Sequence, residues 1–221
     1  MSAVAHIKQY KTGAFYTDEF RGDISWNGYE HNVLLRNDGR DSKGNLRFTD
    51  IGMAVGADDE KDGRGMALAD FDNDGDLDIV INNNPGDSGL AKRARATLLR
   101  NNVGEHRSWL AVELRGTKSN RDGVGAVVVI EAGGEKQMRH VTEGSGYASQ
   151  NGTRLYFGLG DTTQAETMTV RWPSGLAEKF ENINAKQLVR ITEGKGTEVT
   201  TLPAKPAALP VIERRGSRWQ G

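Results

Sequence analysis

Five aspartates alternate over nine residues of this 221-residue chain, Asp70, Asp72, Asp74, Asp76 and Asp78, with Gly75 after the third. Carboxylates at that density repel one another, and a chain that folds around them needs a cation to offset the charge. Hard oxygen donors at alternating positions suit Ca²⁺, which accepts six to eight oxygens at about 2.3–2.6 Å in a flexible shell. Mg²⁺ is the poorer fit, because it demands near-ideal octahedral geometry and keeps its waters. The expected donors are the side-chain oxygens of Asp70, Asp72, Asp74 and Asp78, with the Asp76 backbone carbonyl turned inward and Gly75 at the sharp turn.

The flanks decide what kind of loop this is. An EF-hand opens with the same D-x-D-x-D-G spacing, but it needs a Glu at the twelfth loop position and a helix beyond it. Here that position is Ile81, within the β-branched run Ile79-Val-Ile81, while the apolar Met66-Ala-Leu68 leads in. The reading is a strand, a metal loop and a second strand. A filled carboxylate shell tying two strands together leaves no open position for a substrate, so a structural metal is expected, with folding free energy dependent on calcium.

Charge divides the chain. Met1 to Gly104 holds 14 Asp and 3 Glu against 13 Lys+Arg, a net charge of -4, whereas Glu105 to Gly221 holds 2 Asp and 11 Glu against 16, a net of +3. Asp suits turns and short-reach coordination, and Glu sits in ordinary elements. We place the boundary near Asn102 to His106, giving a repeat-like region over 1–104, a second β domain over 105–194 and an extended tail over 195–221 that carries Pro203, Pro206 and Pro210 with Arg214, Arg215 and Arg218. The absence of Cys excludes a disulfide scaffold, a cysteine nucleophile and thiolate metal sites. A net charge of -1 argues against a nucleic-acid binder. No apolar run reaches the ~18 residues of a membrane span, and the opening MSAVAHIKQYKTGAFYTDEF lacks the pattern of a secretory leader.

An all-β fold follows from period-two alternation. In the second half seven short runs recur between turn signals: Trp109–Arg115, Ala126–Ala132, Lys136–Glu143, Arg154–Leu159, Thr167–Trp172, Ala177–Phe180 and Leu188–Thr192. Gly-rich corners at Gly133-Gly134, Gly144-Ser-Gly146 and Gly158-Leu-Gly160 fit a sandwich or small barrel. Glycine makes up 28 of the 221 residues, about twice the usual share. The first half reads as related phrases, Asn32-Val-Leu-Leu-Arg-Asn-Asp-Gly39 with Phe48-Thr-Asp-Ile-Gly52 and later Thr97-Leu-Leu-Arg-Asn-Asn102. That recurrence, some 60 residues apart, is expected of a propeller-like blade. About 100 residues make fewer than two blades, where propellers need four or more, so the open edges call for a partner, a second domain or another copy of the chain.

Other chemistry is weakly signalled. The four histidines, His6, His31, His106 and His140, form no HExxH pair, and Ser145 lacks the outer glycine spacing and helix of a nucleophile elbow. Trp26, Trp109 and Trp172 read as core, with Trp26 and Tyr29 as a stacking platform for a sugar the alternative. Asn151-Gly-Thr153 matches a glycosylation sequon.

Two stretches resemble known families. Gly65-Met-Ala-Leu-Ala-Asp-Phe-Asp-Asn-Asp-Gly-Asp-Leu-Asp-Ile-Val80 resembles an FG-GAP/VCBS repeat, the integrin-type calcium blade. Asn120-Arg-Asp-Gly-Val-Gly-Ala126, Gly144-Ser-Gly-Tyr-Ala-Ser-Gln150, Phe157-Gly-Leu-Gly160 and Val170-Arg-Trp-Pro-Ser-Gly175 together resemble the ASPIC/UnbV domain of cartilage acidic protein-like proteins. The resemblance implies a partial β-propeller-like repeat followed by a β-rich module, bound to calcium and exported from the cytoplasm. Its metal ligands carry over to Asp70, Asp72, Asp74, Asp76 and Asp78. The expected function is that of a non-enzymatic interaction or structural subunit, with a protein partner or a homo-oligomer and no catalytic residues. Two alternatives stand beside it: an enzyme or enzyme accessory of a biosynthetic pathway that uses the polar turns at Asp122, Glu143, Tyr147 and Gln150, and a carbohydrate-binding module.

Overall fold

The computed structural model describes residues 31–58, 61, 63–83, 96–200 and 202; the Trp26–Tyr29 platform and the segment after 202 lie outside them. The fold is all-β, and none of the sheets among the described residues closes on itself. The chain forms two compact units whose segments interleave in sequence. One takes the chain up to Leu68, then Ile79–Arg100 and Gly144–Asn151; the other takes Ala69–Asp78, Asn101–Glu143 and the chain from Gly152 onward.

The first unit contains strands β1 (Leu35–Arg40) and β2 (Leu46–Asp50), a single helical turn α1 (Gly52–Val55), and most of β3 (Gly63–Ala69), β4 (Asp78–Asn83) and β5 (Thr97–Leu99). β1 and β2 pair antiparallel as a two-stranded sheet, with Leu35 opposite Asp50 and Asn37 opposite Phe48. The other three form a sheet in the order β3-β4-β5, and Ile79 lies opposite Leu99. The turn Gly144–Asn151 closes against β3: the Asn151 side-chain oxygen accepts the Leu68 N–H at 2.8 Å, and Gly65 approaches the Ala148 carbonyl so closely that a Cβ there would lie 3.0 Å from it. Of the hydrophobic residues buried in the described chain, this unit supplies only Ala57 and Ile81.

The second unit holds nearly all the core. Its strands are β6 (Ser108–Arg115), β7 (Val127–Ala132), β8 (Glu135–His140), β9 (Leu155–Gly160), β10 (Gln164–Arg171), β11 (Ala177–Asn184), β12 (Gln187–Thr192) and β13 (Gly196–Thr200). They form two four-stranded sheets, β11-β10-β7-β8 and β13-β12-β6-β9. Alternation does the sorting: along β7, Val128, Ile130 and Ala132 are buried, and along the second half of β10, Met168 and Val170 are, with Ala165 buried out of step before them. These side chains join Leu110, Val112 and Leu114 of β6, Phe157 of β9 and Ile191 of β12 in one apolar cluster fed by both sheets. All seven expected strands are present, with ends shifted by up to four residues. β6 and β12 run parallel, Leu110 beside Gln187 through Arg115 beside Thr192, across a long crossover. Residues 196–200, read from sequence as the start of the tail, are strand β13 on the edge beside β12.

The family-like glycine motifs act as corners. Asn120 clamps the turn before β7 with its side-chain amide, donating to the Val124 carbonyl and accepting the Val124 N–H, each at 2.8 Å. Gly123, at φ +66°, then faces the Leu114 side chain, leaving no room for a Cβ.

Candidate metal centre

The acidic loop leaves β3 at Ala69 and enters β4 at Asp78, the strand-loop-strand arrangement read from the flanking apolar residues. The loop folds on its own carboxylates. Asp70 accepts the N–H groups of Asp74 at 3.1 Å and Gly75 at 3.0 Å, and Asp74 accepts that of Asp76 at 3.2 Å. Asp78 accepts the Phe71 N–H at 3.0 Å through one oxygen and the Asn101 N–H at 2.8 Å through the other, pinning both ends of the loop.

Of the five aspartates, Asp70, Asp72 and Asp78 converge, each presenting an oxygen within 4.8 Å of the other two. Asp74 and Asp76 lie outside that group of three. Asp72 is 2% exposed and Asp78 1%, and burial of like charges at such range favours a bound cation. Burial holds the Asp70 carboxyl above its ordinary range, the neighbouring Asp74 charge adds to this, and the hydrogen bonds from Gly75 and Asp74 pull the other way. An all-carboxylate donor set of this spacing fits a hard divalent ion such as Ca²⁺ better than a transition metal. Asp70, Asp72 and Asp78 would hold it.

Trp109, read from sequence as core, instead packs beside the loop together with Tyr156 and Arg154, which sequence reading left unassigned. Gly75, at φ +98°, lies directly against the Trp109 indole of β6, and Gly104 lies against Asp76. Tyr156 of β9 donates its hydroxyl to Asp70 at 3.3 Å and accepts from the Arg154 guanidinium at 3.2 Å. Arg154 lies 3.7 Å from Glu113, whose other oxygen accepts from Arg190 at 3.0 Å. Burial above all pushes the Tyr156 phenol up to about 12; Arg154 opposes the shift and the Asp70 charge adds to it. A charge relay of polar side chains thus runs from the loop across β9, β6 and β12. Its one signal in the sequence was the alternation that put Arg154 and Tyr156 on the same face of one strand.

The residues of the enzyme reading lie outside the strands. Asp122, Glu143, Tyr147 and Gln150 are all exposed, Tyr147 by 76%. Trp172 is a core residue whose indole N–H donates to Glu178 at 2.6 Å. The second unit also contains a buried carboxylate that sequence reading missed. Glu193, 2% exposed, receives the successive N–H groups of Thr117, Lys118 and Ser119 at 2.7–2.8 Å, with the Ser119 and Ser174 hydroxyls on its other oxygen.

Residues 116–198 match the family model described as ASPIC and UnbV. Cartilage acidic protein 1 of Xenopus tropicalis is 33% identical over 121 residues, and those of Homo sapiens and Mus musculus are 32% identical over 121 residues. In each case the match covers 52% of this chain and 17% of the relative, so the chain spans a small part of the curated relatives it matches. The span 116–198 is therefore an ASPIC/UnbV domain, and β13 lies at its end.

Proposed function

We propose that this chain is a calcium-stabilised, non-enzymatic β-protein that serves as an interaction or structural subunit of a larger assembly. The observation that carries the reading is the exposure of three large apolar side chains, Leu35, Leu46 and Phe48, on one face of the β1–β2 hairpin, which they share with Asn37 and Asp50. All eleven residues of its two strands are exposed. The register puts Leu35 and Phe48 on one face, 58% and 54% exposed, with Leu46 on the same face of β2. The opposite face carries Arg36, Asp38, Arg47 and Thr49, where Arg36 and Thr49 both donate to Asp38. A two-stranded hairpin whose apolar side chains are this exposed is marginal in water by itself, and burial of Leu35, Leu46 and Phe48 against another surface would stabilise it.

The same unit exposes Val33, Met53, Val55, Met66 and Leu98, against a buried apolar set of two among the described residues. This balance supports the finer reading of 1–104 as part of an FG-GAP/VCBS-like, propeller-type array completed by further repeats, a partner or a second copy. For the second unit, two sheets feeding one cluster support a β-sandwich. Three converging carboxylates support calcium as the ion of the loop.

Light scattering over a range of concentrations, together with capture from native extract, tests the subunit reading. The wild-type chain is expected to self-associate or to retain a discrete partner, and Leu35→Lys with Phe48→Lys to abolish this while leaving the spectroscopic signature of the second unit intact. A chain that stays monomeric at every concentration and retains nothing would sink it.

A further inference from the structure

A cleft of about 330 Å³ opens within the second unit, over the surface of β6 and β9 beside the acidic loop. Its walls are Trp109, Tyr156 and the loop residues Gly75 and Asp76, and Arg107 and Ser108 stand at its β6 end. The space exists because of two glycines. Trp109 pairs with Gly158 and Ser108 with Gly160 across the β6–β9 ladder, so each bulky or polar side chain of β6 faces a strand position that has no side chain. A Cβ built on Gly158 meets nothing within 4 Å, and neither does one on Gly160. In a sheet, a glycine opposite a tryptophan clears a flat floor next to an aromatic ring.

We propose that this cleft binds a single neutral sugar ring. The volume lies at the small end of ligand sites and admits one six-membered ring with its substituents. The lining matches a pyranose, which is apolar on its C–H faces and polar around its edge. The Trp109 indole and the Gly158–Gly160 floor suit the C–H face, while Asp76, Ser108 and Arg107 among the lining residues bring donor and acceptor groups for ring hydroxyls. The local charge favours a neutral ligand over an anion: Arg107 is bound to Asp161 at 2.6 Å, and Asp76 adds a further negative charge. The site is distinct in sequence from the Trp26–Tyr29 platform, and it does not depend on the subunit reading. Since Gly75 and Asp76 belong to the acidic loop, an ordered loop completes two of its walls.

The test is a titration of the whole chain, in calcium-containing buffer, with methyl pyranosides of glucose, galactose and mannose, and with open-chain sorbitol as the control. The readout is the indole N–H resonance of Trp109 by NMR, identified by its loss in Trp109→Phe. A saturable shift with at least one pyranoside and none with sorbitol is expected. Gly158→Leu, which fills the cleft from an open strand position, is expected to weaken that binding at least tenfold without lowering Tm, and Arg107→Ala to weaken it by a smaller factor. The proposal is overturned if no pyranoside gives a saturable shift, if sorbitol binds equally well, or if Gly158→Leu binds as strongly as the wild type.

Discussion

Gly75 of the acidic loop sits so close to Trp109 of β6 that a Cβ at Gly75 would fall 1.8 Å from the indole ring. The loop is therefore seated on the β6–β9 surface, and its glycine is required twice: once for the backbone at φ +98° and once for the contact. Gly75→Ala must either displace the indole or pull the loop off the strand. The expected cost is about 3 kcal/mol, from overpacking together with backbone strain, a fall in Tm of roughly 10 °C. The same substitution in a Trp109→Ala background should cost markedly less, because only the strain remains. A double-mutant cycle by thermal unfolding measures the coupling, and equal costs in both backgrounds would show that the contact is not what requires the glycine.

If Asp70, Asp72 and Asp78 hold calcium, Ca²⁺ added to EGTA-treated chain raises Tm, while Mg²⁺ at equal concentration does much less. An ion that binds only the folded state adds roughly 2.7 kcal/mol at about 100 Kd. Asp72→Asn, which removes one buried charge at near-constant shape, should weaken calcium binding at least tenfold in isothermal titration. Asp122→Asn, on the exposed turn of the second unit, should leave it unchanged. A Tm indifferent to calcium would leave the loop as an acidic turn without a resident ion.

Tyr156 links this loop to the Arg154–Glu113–Arg190 series, and its phenol is held at about 12 chiefly by burial. Its protonated form is therefore the one the fold stabilises. In a spectrophotometric alkaline titration of the intact chain, one tyrosine should ionise near pH 12, and Tyr156→Phe should remove that step and no other. The variant should also weaken calcium binding by roughly tenfold, since groups that orient a ligand carboxylate commonly carry that weight. A titration with no step near pH 12 would contradict the buried Tyr156–Asp70 pair.

Much of this architecture was legible because one physical signal dominates it. Strands β6, β7 and β9 bury alternate residues against one cluster, so period two shows through in Leu110–Val112–Leu114 and Val128–Ile130. The strand-loop-strand frame of the aspartates was legible for a related reason: β-branched Ile79-Val-Ile81 does not continue a helix. What the sequence hides is pairing at long range. Nothing local marks β12 as the parallel neighbour of β6, 77 residues away in the Glu113–Arg190 pair. Alternation does put Trp109 with Glu113 and Arg115 on the face away from Leu110, Val112 and Leu114, against its reading as core, but it does not say that the indole carries the loop. Spacing gives the order of the five carboxylates but not that Asp70, Asp72 and Asp78 bring their oxygens within 4.8 Å of one another.

Glu193 shows how a residue can be hidden by its context, a lone Glu between a strand and a glycine. Burial alone would raise its carboxyl, but the Ser174 hydroxyl and the N–H groups of Ser119, Thr117 and Lys118 outweigh burial and hold it at about 2, against an ordinary 4.5. The folded chain therefore binds fewer protons at this group than the unfolded chain between those two values. The stability it supplies is complete above about pH 4.5 and fades as pH falls toward 2. Glu193→Gln keeps the shape but loses the charge around which three N–H groups and two hydroxyls are arranged, so its Tm at pH 7 should fall well below that of an exposed control such as Glu135→Gln. Its acid unfolding curve should also lack the part of the wild-type slope that lies between pH 4.5 and 2. Parallel thermal melts of the three chains from pH 7 to 2 settle the matter: if Glu193→Gln and the wild type lose stability in step across that window, the three N–H groups are not what depresses the carboxyl.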